Sequence, residues 1–323
     1  MQPPAKPSDE QHRLSTLRAY NILDTLPEER FDRLTRLARR LFNVPIAVVS
    51  LVDMNRQWFK SCQGLAVQET PRDVSFCGHA ILEDGIMEVP DAQHDARFHD
   101  NPLVVGEPGI RFYAGCPLVV PDGVKLGTLC LLDTVPHRLN EEDRMLLRDL
   151  AAMAEQEITA MQLATMDALT QISNRRGFEA LGQHALEVCH RLGLPASLLF
   201  FDMNGFKEIN DTFGHAEGDR ALKTFATLIR ESLRDSDVVA RLGGDEFAVL
   251  LTNAGKHETQ QAVARLQARV AAHNAESGRG YALCYSVGQI DYDGAQPVEV
   301  AALLAQADAL MYAQKRSSRS PAV

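Results

Sequence analysis

Between residues 27 and 42, Phe31, Leu34, Leu37, Ala38 and Leu41 recur at three- and four-residue steps, with Arg33, Arg36, Arg39 and Arg40 between them. That spacing predicts an amphipathic helix with one buried face. The β-branched run at 44–52 predicts a buried strand, and residues 57–62 a second strand after a turn at 53–55. Loop-forming residues dominate 68–73 and 90–107. Strand patterns return at 115–120 and 125–132, parted by a turn at 121–123. Residues 1–139 are therefore expected to form an α+β domain, an antiparallel sheet with flanking helices.

A long helix is expected over 140–166, capped by Asn140 with Asp143 as a weaker capping-box partner. Within it Leu147, Ala151, Ala154, Ile158, Met161, Thr165 and Ala168 alternate at four- and three-residue steps. This is the seam spacing of a two-stranded coiled coil, so a dimerising linker helix is preferred over a helix packed on its own domain. From 167 to 323 the pattern predicts helices at 177–191, 218–233, 257–273 and 298–315. Strands are expected at 197–201, 238–241, 247–251 and 282–289, forming a palm-like α/β sheet with helices on its faces.

Composition narrows the function classes. The 323 residues are 45% hydrophobic and 24% charged, with a formal charge of −10. The composition is globular, and the acidic balance argues against nucleic acid or an anionic membrane as the main partner. No apolar run approaches the roughly 18 residues of a spanning helix, and residues 1–7 lack a secretory layout, so a cytoplasmic location is expected. Cys62, Cys77, Cys116, Cys130, Cys189 and Cys284 are scattered and read as free thiols. Both chain ends read as frayed tails.

The sharpest chemical feature is R-L-G-G-D-E-F at 241–247. Two glycines permit a tight turn and close approach of an anion, and Asp245 and Glu246 follow. By itself this can be an ordinary acidic turn. Asp202, however, ends an apolar strand, where an isolated carboxylate is expensive to desolvate. Two hard carboxylates at neighbouring strand ends, Asp202 and Asp245, suit Mg²⁺, which takes few protein oxygens and completes its shell with phosphate and water. Gly205–Lys207 lead into a helix start where phosphate can meet amide hydrogens. Asn210 and Asp219 together can read a guanine edge.

With those residues in view, the second half resembles the GGDEF family of diguanylate cyclases. The resemblance rests on D-A-L-T-Q-I-S-N-R-R-G-F at 167–178, F-D-M-N-G-F-K-E-I-N-D-T-F-G-H-A-E-G-D at 201–219, the 241–247 motif, S-V-G at 286–288 and A-D-A-L-M-Y-A-Q-K at 307–315. It implies condensation of two GTP into cyclic di-GMP and two pyrophosphates across a homodimer. It implies Asp202, Asp245, Glu246 and the Met203 carbonyl as ligands of two Mg²⁺ (or Mn²⁺), with Asp245 and Glu246 as the catalytic pair. Asn210 and Asp219 would hold guanine, the Phe206 and Lys207 amides the phosphates, and Lys315 and Arg319 the β- and γ-phosphates. R-x-x-D at Arg234 and Asp237 would form an inhibitory product site. An i,i+3 ion pair is the plainer account of that spacing. Departures are Gln171 in place of a usual glycine, Gly205 in place of a frequent histidine, and S-R-S at 318–320 for a usual G-R-N. The non-enzymatic alternative is a silent receptor for GTP or cyclic di-GMP.

Residues 14–160 are similar to GAF sensor domains, through I-A-V-V-S-L-V-D at 46–53, Q-W-F-K-S-C at 57–62, F-C-G-H-A-I at 76–81, V-P-D-A at 89–92 and L-G-T-L-C-L-L-D at 126–133. Their ligand is not readable. Cys77, His79, His94 and His99 are taken as ordinary loop and core residues ahead of a metal site. Trp58, Phe112 and Tyr113 are taken as core ahead of pocket walls.

Overall fold

A computed structural model describes residues 1–234 and 236–319, with side chains to 316. The chain divides into two compact units, the second starting at Leu163. Among the described residues no helix is long and apolar enough to cross a membrane.

The first unit contains α1 (Glu10–Ala19), α2 (Glu29–Leu41), β1 (Ile46–Val52), β2 (Arg56–Gln63), β3 (Glu69–Pro71), α3 (Phe76–Ala80), β4 (Met87–Val89), α4 (Pro102–Val105), β5 (Phe112–Val119), β6 (Lys125–Asp133) and most of α5 (Glu141–Thr165). Its antiparallel sheet runs β3-β2-β1-β6-β5-β4. Every residue of β1 is buried because the strand separates two cores. Ala47, Val49 and Leu51 face a core shared with Leu17, Phe31, Leu34 and α5. Ile46, Val48 and Val52 face another, closed by Phe76, Cys77, Ala80 and Tyr113. Alternation along one strand thus feeds two faces.

Several expectations need correction here. The seam of α5 is spent inside its own unit: Leu147, Ala151, Ala154, Ile158 and Met161 are buried in the first core, whereas Ala168 lies exposed beyond the helix. The physical reason is competition. A sheet face lined with leucine and valine buries that stripe within one chain, so the stripe is not a coiled-coil seam. Helix α1 escaped the sequence pattern because it is mostly polar; it buries Arg13 and Thr16 beside Leu14 and Leu17. Strand β4, at only three residues, also went unread. The start of the chain is not frayed: Gln2 N–H donates to the Arg97 carbonyl at 3.2 Å, and its own carbonyl meets His79 Nε2 at 3.0 Å. Trp58, Phe112 and Tyr113 are core residues.

The second unit contains α6 (Arg175–Leu192), β7 (Ala196–Met203), α7 (Phe206–Phe213), α8 (His215–Ser232), β8 (Val238–Gly243), β9 (Glu246–Thr252), α9 (Lys256–Ser277), β10 (Tyr285–Tyr292) and α10 (Val300–Arg319). Its sheet runs β10-β7-β9-β8 and every pairing is antiparallel. One face packs Leu199, Phe201, Phe247 and Val249 against α8 and α9. The other packs Leu198, Phe200, Ala248 and Leu250 against α6 and α10. The apolar centres of β7 and β9 leave only their ends for polar chemistry.

Candidate functional site

Antiparallel register gathers the acids. Asp202, near the end of β7, lies opposite Glu246, the first residue of β9. Asp245 precedes it in the β8–β9 turn, made by Gly243 and Gly244 at φ of 154° and 50°. The backbone fastens this turn to β7, because Met203 N–H donates to the Asp245 carbonyl at 3.1 Å. Burial, and then the charge of Asp202, pushes the Asp245 carboxyl above its ordinary value. Burial, and then Asp308, does the same to Glu246. Mutual repulsion among half-buried carboxylates is the electrostatic condition that a cation relieves.

Two cations already approach. Lys315 of α10 forms an ion pair with Asp202. Arg175, at the start of α6, stands 4.0 Å from Glu246. Sequence reasoning gave Lys315 a place on phosphate and gave Arg175 no role. Asp308 was also missed, since nothing in its helical spacing says that α10 aims it at Glu246. Among the described residues no three acid, histidine or cysteine side chains converge into a ready-made metal cage. The donor set is nonetheless all hard oxygen, with Asp202 and Glu246 facing each other at adjoining strand ends and Asp245 next in the turn. That fits Mg²⁺, which keeps open positions for water and phosphate.

Arg241 is a positioning residue that the sequence reading quoted but did not use. Its guanidinium donates to the Gly244 carbonyl at 3.0 Å from Nε and 2.8 Å from Nη2. Nη1 reaches the Asp167 carboxylate at 3.2 Å. Asp167 in turn accepts from Thr170 N at 2.9 Å and Thr170 Oγ1 at 2.6 Å. The 167–170 motif therefore acts at a distance in sequence by holding the acidic turn. Gln171 takes φ of 56°, so this non-glycine residue adopts the left-handed conformation, with its side chain bonded to the Ala168 carbonyl at 2.7 Å.

Phe206 and Lys207 open α7, and Asn210 follows on the same helix. The Asn210 amide lies against Gly218, where an added Cβ would sit 2.0 Å from its Oδ1. Asp219 is the next residue, exposed in α8. Close helix approach at Gly218 thus brings α7 at Asn210 against the start of α8, the stretch that carries Asp219. The side chain of Arg319 lies outside the described residues.

The Arg234–Asp237 pair is not an ion pair. Asp237 uses its carboxylate to accept from Arg234 N–H at 3.0 Å and Thr252 N–H at 3.2 Å. Burial pushes its pKa above the ordinary carboxylate value. Arg234 itself is exposed. In the first unit Cys77, His79, His94 and His99 do not converge. Cys77 contacts Cys130, His79 meets Gln2, and the exposed His94 pairs with Asp91.

Set against known proteins, residues 164–321 match the family model described as diguanylate cyclase, GGDEF domain, and residues 26–158 match the GAF domain model. The chain is 34% identical over 274 residues to the cyclic di-GMP phosphodiesterase PA2567 of Pseudomonas aeruginosa, covering 82% of this chain and 45% of that protein. It is 37% identical over 157 residues to the diguanylate cyclase DosC of Escherichia coli K12, covering 48% of this chain and 34% of that protein. The chain thus spans less than half the length of either relative. Among solved structures, the GGDEF domain of PA1120 (TpbB or YfiN) from Pseudomonas aeruginosa is 39% identical, with 47% of this chain and 89% of that one covered at a TM-score of 0.44. The coiled coil and GGDEF domain of DgcB from Caulobacter crescentus, in complex with c-di-GMP, is 24% identical, with 56% and 97% covered at a TM-score of 0.48.

Proposed function

The chain belongs to the GGDEF family, with a GAF domain ahead of the GGDEF domain, and from that premise we propose that it condenses two GTP into cyclic di-GMP and two pyrophosphates. The observation that carries this reading is the register that sets Asp202 opposite Glu246 and beside Asp245, with Lys315 at hand. Asp202, Asp245, Glu246 and the Met203 carbonyl would hold Mg²⁺ or Mn²⁺, two per site. Such ions neutralise the phosphates and the charge that develops on the attacking and leaving oxygens. Glu246, its affinity for a proton raised, takes the proton from the 3′-hydroxyl. Lys315, released from Asp202, shares the charge of the leaving pyrophosphate with Arg319. The Phe206 and Lys207 amides meet phosphate, and Asn210 with Asp219 reads guanine.

A single site holds one GTP, so the 3′-hydroxyl and the α-phosphate of two nucleotides meet only when two protomers face each other. We therefore assign a homodimer, acting in the cytoplasm where GTP is held, regulated through the GAF domain. Arg234 and Asp237 bind the product: the exposed guanidinium grips a phosphate or guanine edge, while Asp237 sets the loop. Arg234→Ala then leaves turnover intact and raises the product concentration needed for inhibition.

The test is incubation of the purified chain with GTP and Mg²⁺, reading pyrophosphate and separating nucleotide products, with Asp245→Ala as control. Pyrophosphate with cyclic di-GMP supports the reading, and a 3′,5′-cyclic mononucleotide replaces it. The second reading is a silent receptor for GTP or cyclic di-GMP, kept because PA2567, similar over 82% of this chain, is named a phosphodiesterase and not a cyclase. Nucleotide binding without pyrophosphate would establish it.

A further inference from the structure

The second core of the first unit contains a polar knot that the catalytic reading does not use. Cys77 of α3 and Cys130 of β6 are each 1% exposed. Their sulfurs lie 3.6 Å apart. Tyr113 O–H donates to Cys77 Sγ at 3.4 Å, and Cys130 S–H donates to the Val48 carbonyl at 3.7 Å. Ser50 Oγ and Thr128 Oγ1 are buried with no partner of normal geometry. Val48 faces Cys62 across one edge and Cys130 across the other, so a third thiol lies nearby on the sheet. An apolar core gains nothing from this set, since buried hydroxyls without partners cost free energy.

We propose that Cys77 and Cys130 form a peroxide-oxidisable dithiol, with Cys77 as the attacking sulfur and Cys130 as the resolving thiol. In the first step the Cys77 thiolate attacks hydrogen peroxide. An S–O bond forms, the O–O bond breaks and hydroxide leaves, taking up the proton that Cys77 released. In the second step Cys130 attacks the sulfenic sulfur; the S–S bond forms, the S–O bond breaks, and water leaves with the Cys130 proton. Two thiols are oxidised, and one peroxide is reduced to two waters.

The hydrogen bonding assigns the roles. Burial alone would push the Cys77 thiol up, but the polar groups around its sulfur, with Tyr113 O–H donating at 3.4 Å, outweigh it and bring this thiol down. Cys130 is pushed up, first by its bond to Cys77 and then by burial, and stays protonated. Closing the bridge shortens 3.6 Å to about 2.05 Å. Helix α3 is only five residues long, so few backbone bonds hold the turn that carries Cys77. It is also the element on which Gln2 rests through His79, and its Phe76 ring stacks on Phe98 at 4.1 Å and Tyr113 at 5.1 Å. Oxidation therefore pins α3 to β6. Peroxide is close to water in size and enters when α3 opens locally.

The experiment treats the reduced full chain with hydrogen peroxide, alkylates free thiols and maps peptides without reduction. The expected result is joint protection of Cys77 and Cys130 in one linked peptide pair, reversed by dithiothreitol. In Cys130→Ser the reaction stops at Cys77 sulfenic acid, trapped by dimedone, whereas in Cys77→Ser the other thiol stays reduced. Circular dichroism verifies that both variants are folded. The proposal is overturned if exposed Cys284 oxidises while Cys77 and Cys130 remain alkylatable. Dimedone labelling of Cys77 as strong in the unsubstituted chain as in Cys130→Ser would also overturn it.

Discussion

Gly288 is the position where one methyl group reaches furthest. It lies on β10 directly under α10, and an added Cβ would stand 2.0 Å from the Ala307 carbonyl oxygen and 2.6 Å from Met311 N. Both obstacles are backbone, so no rotamer relieves them. To reach the 3.0 Å that real Cβ atoms respect, Gly288→Ala must drive the helix back by at least 1.0 Å at Ala307. Overpacking of that kind costs about 1–3 kcal/mol. The displaced segment leads, one turn beyond Met311, to Lys315 on Asp202. A misplacement near 1 Å at a reacting centre costs about 10²-fold in rate. Urea unfolding should therefore show a lower midpoint for the second unit, and pyrophosphate release a loss of roughly that size. If the loss runs through Lys315, Gly288→Ala combined with Lys315→Ala should be less than additive. An alanine variant that unfolds at the unsubstituted midpoint and turns over within about twofold of it would refute the reasoning.

Further expectations follow from the same geometry. Glu10 bridges Arg13 and Arg72, both nearly buried; burial pushes its pKa up, but bonds to the two guanidiniums outweigh this and hold it at about 2. Its contribution is present above the unfolded value near 4.5 and fades as pH falls through about 2. Glu10→Gln leaves two buried cations without a counter-charge and should cost about 3–5 kcal/mol in urea unfolding. For Asp245 the sign is opposite: a raised carboxyl destabilises the metal-free chain, beginning as pH rises through the unfolded value near 3.8 and complete above the folded value. Asp245→Asn should accordingly raise the thermal midpoint of the metal-free chain at neutral pH while abolishing the further rise that Mg²⁺ with a GTP analogue gives the unsubstituted chain. Arg241→Lys keeps the charge but loses the fork that spans Gly244 and Asp167. It should cut turnover about tenfold or more with under 1 kcal/mol of stability change, read by parallel activity and urea titrations.

The acidic turn, Asp202 and the helices and strands of the second unit were legible because glycine, carboxylate and apolar runs specify turns, ends and centres locally. In the first unit β1 was readable as a buried strand from its near-continuous apolar run, broken only by Ser50. The fate of α5 was not. The same stripe suits a partner helix or a sheet face, and periodicity cannot say which surface arrives first. Only the folded first unit, where Phe31, Val49 and Leu131 already line that face, makes the stripe internal. Likewise Arg241 on Gly244, Lys315 on Asp202 and Cys77 against Cys130 join residues far apart in the chain. Sequence by itself determined the acidic turn, Asp202 and the type of most elements, because propensity and charge act over a few residues, but it left α1, β4, Arg175 and Asp308 unread. Tertiary structure decided which of them meet, because strand register and helix docking are settled by packing across the whole core.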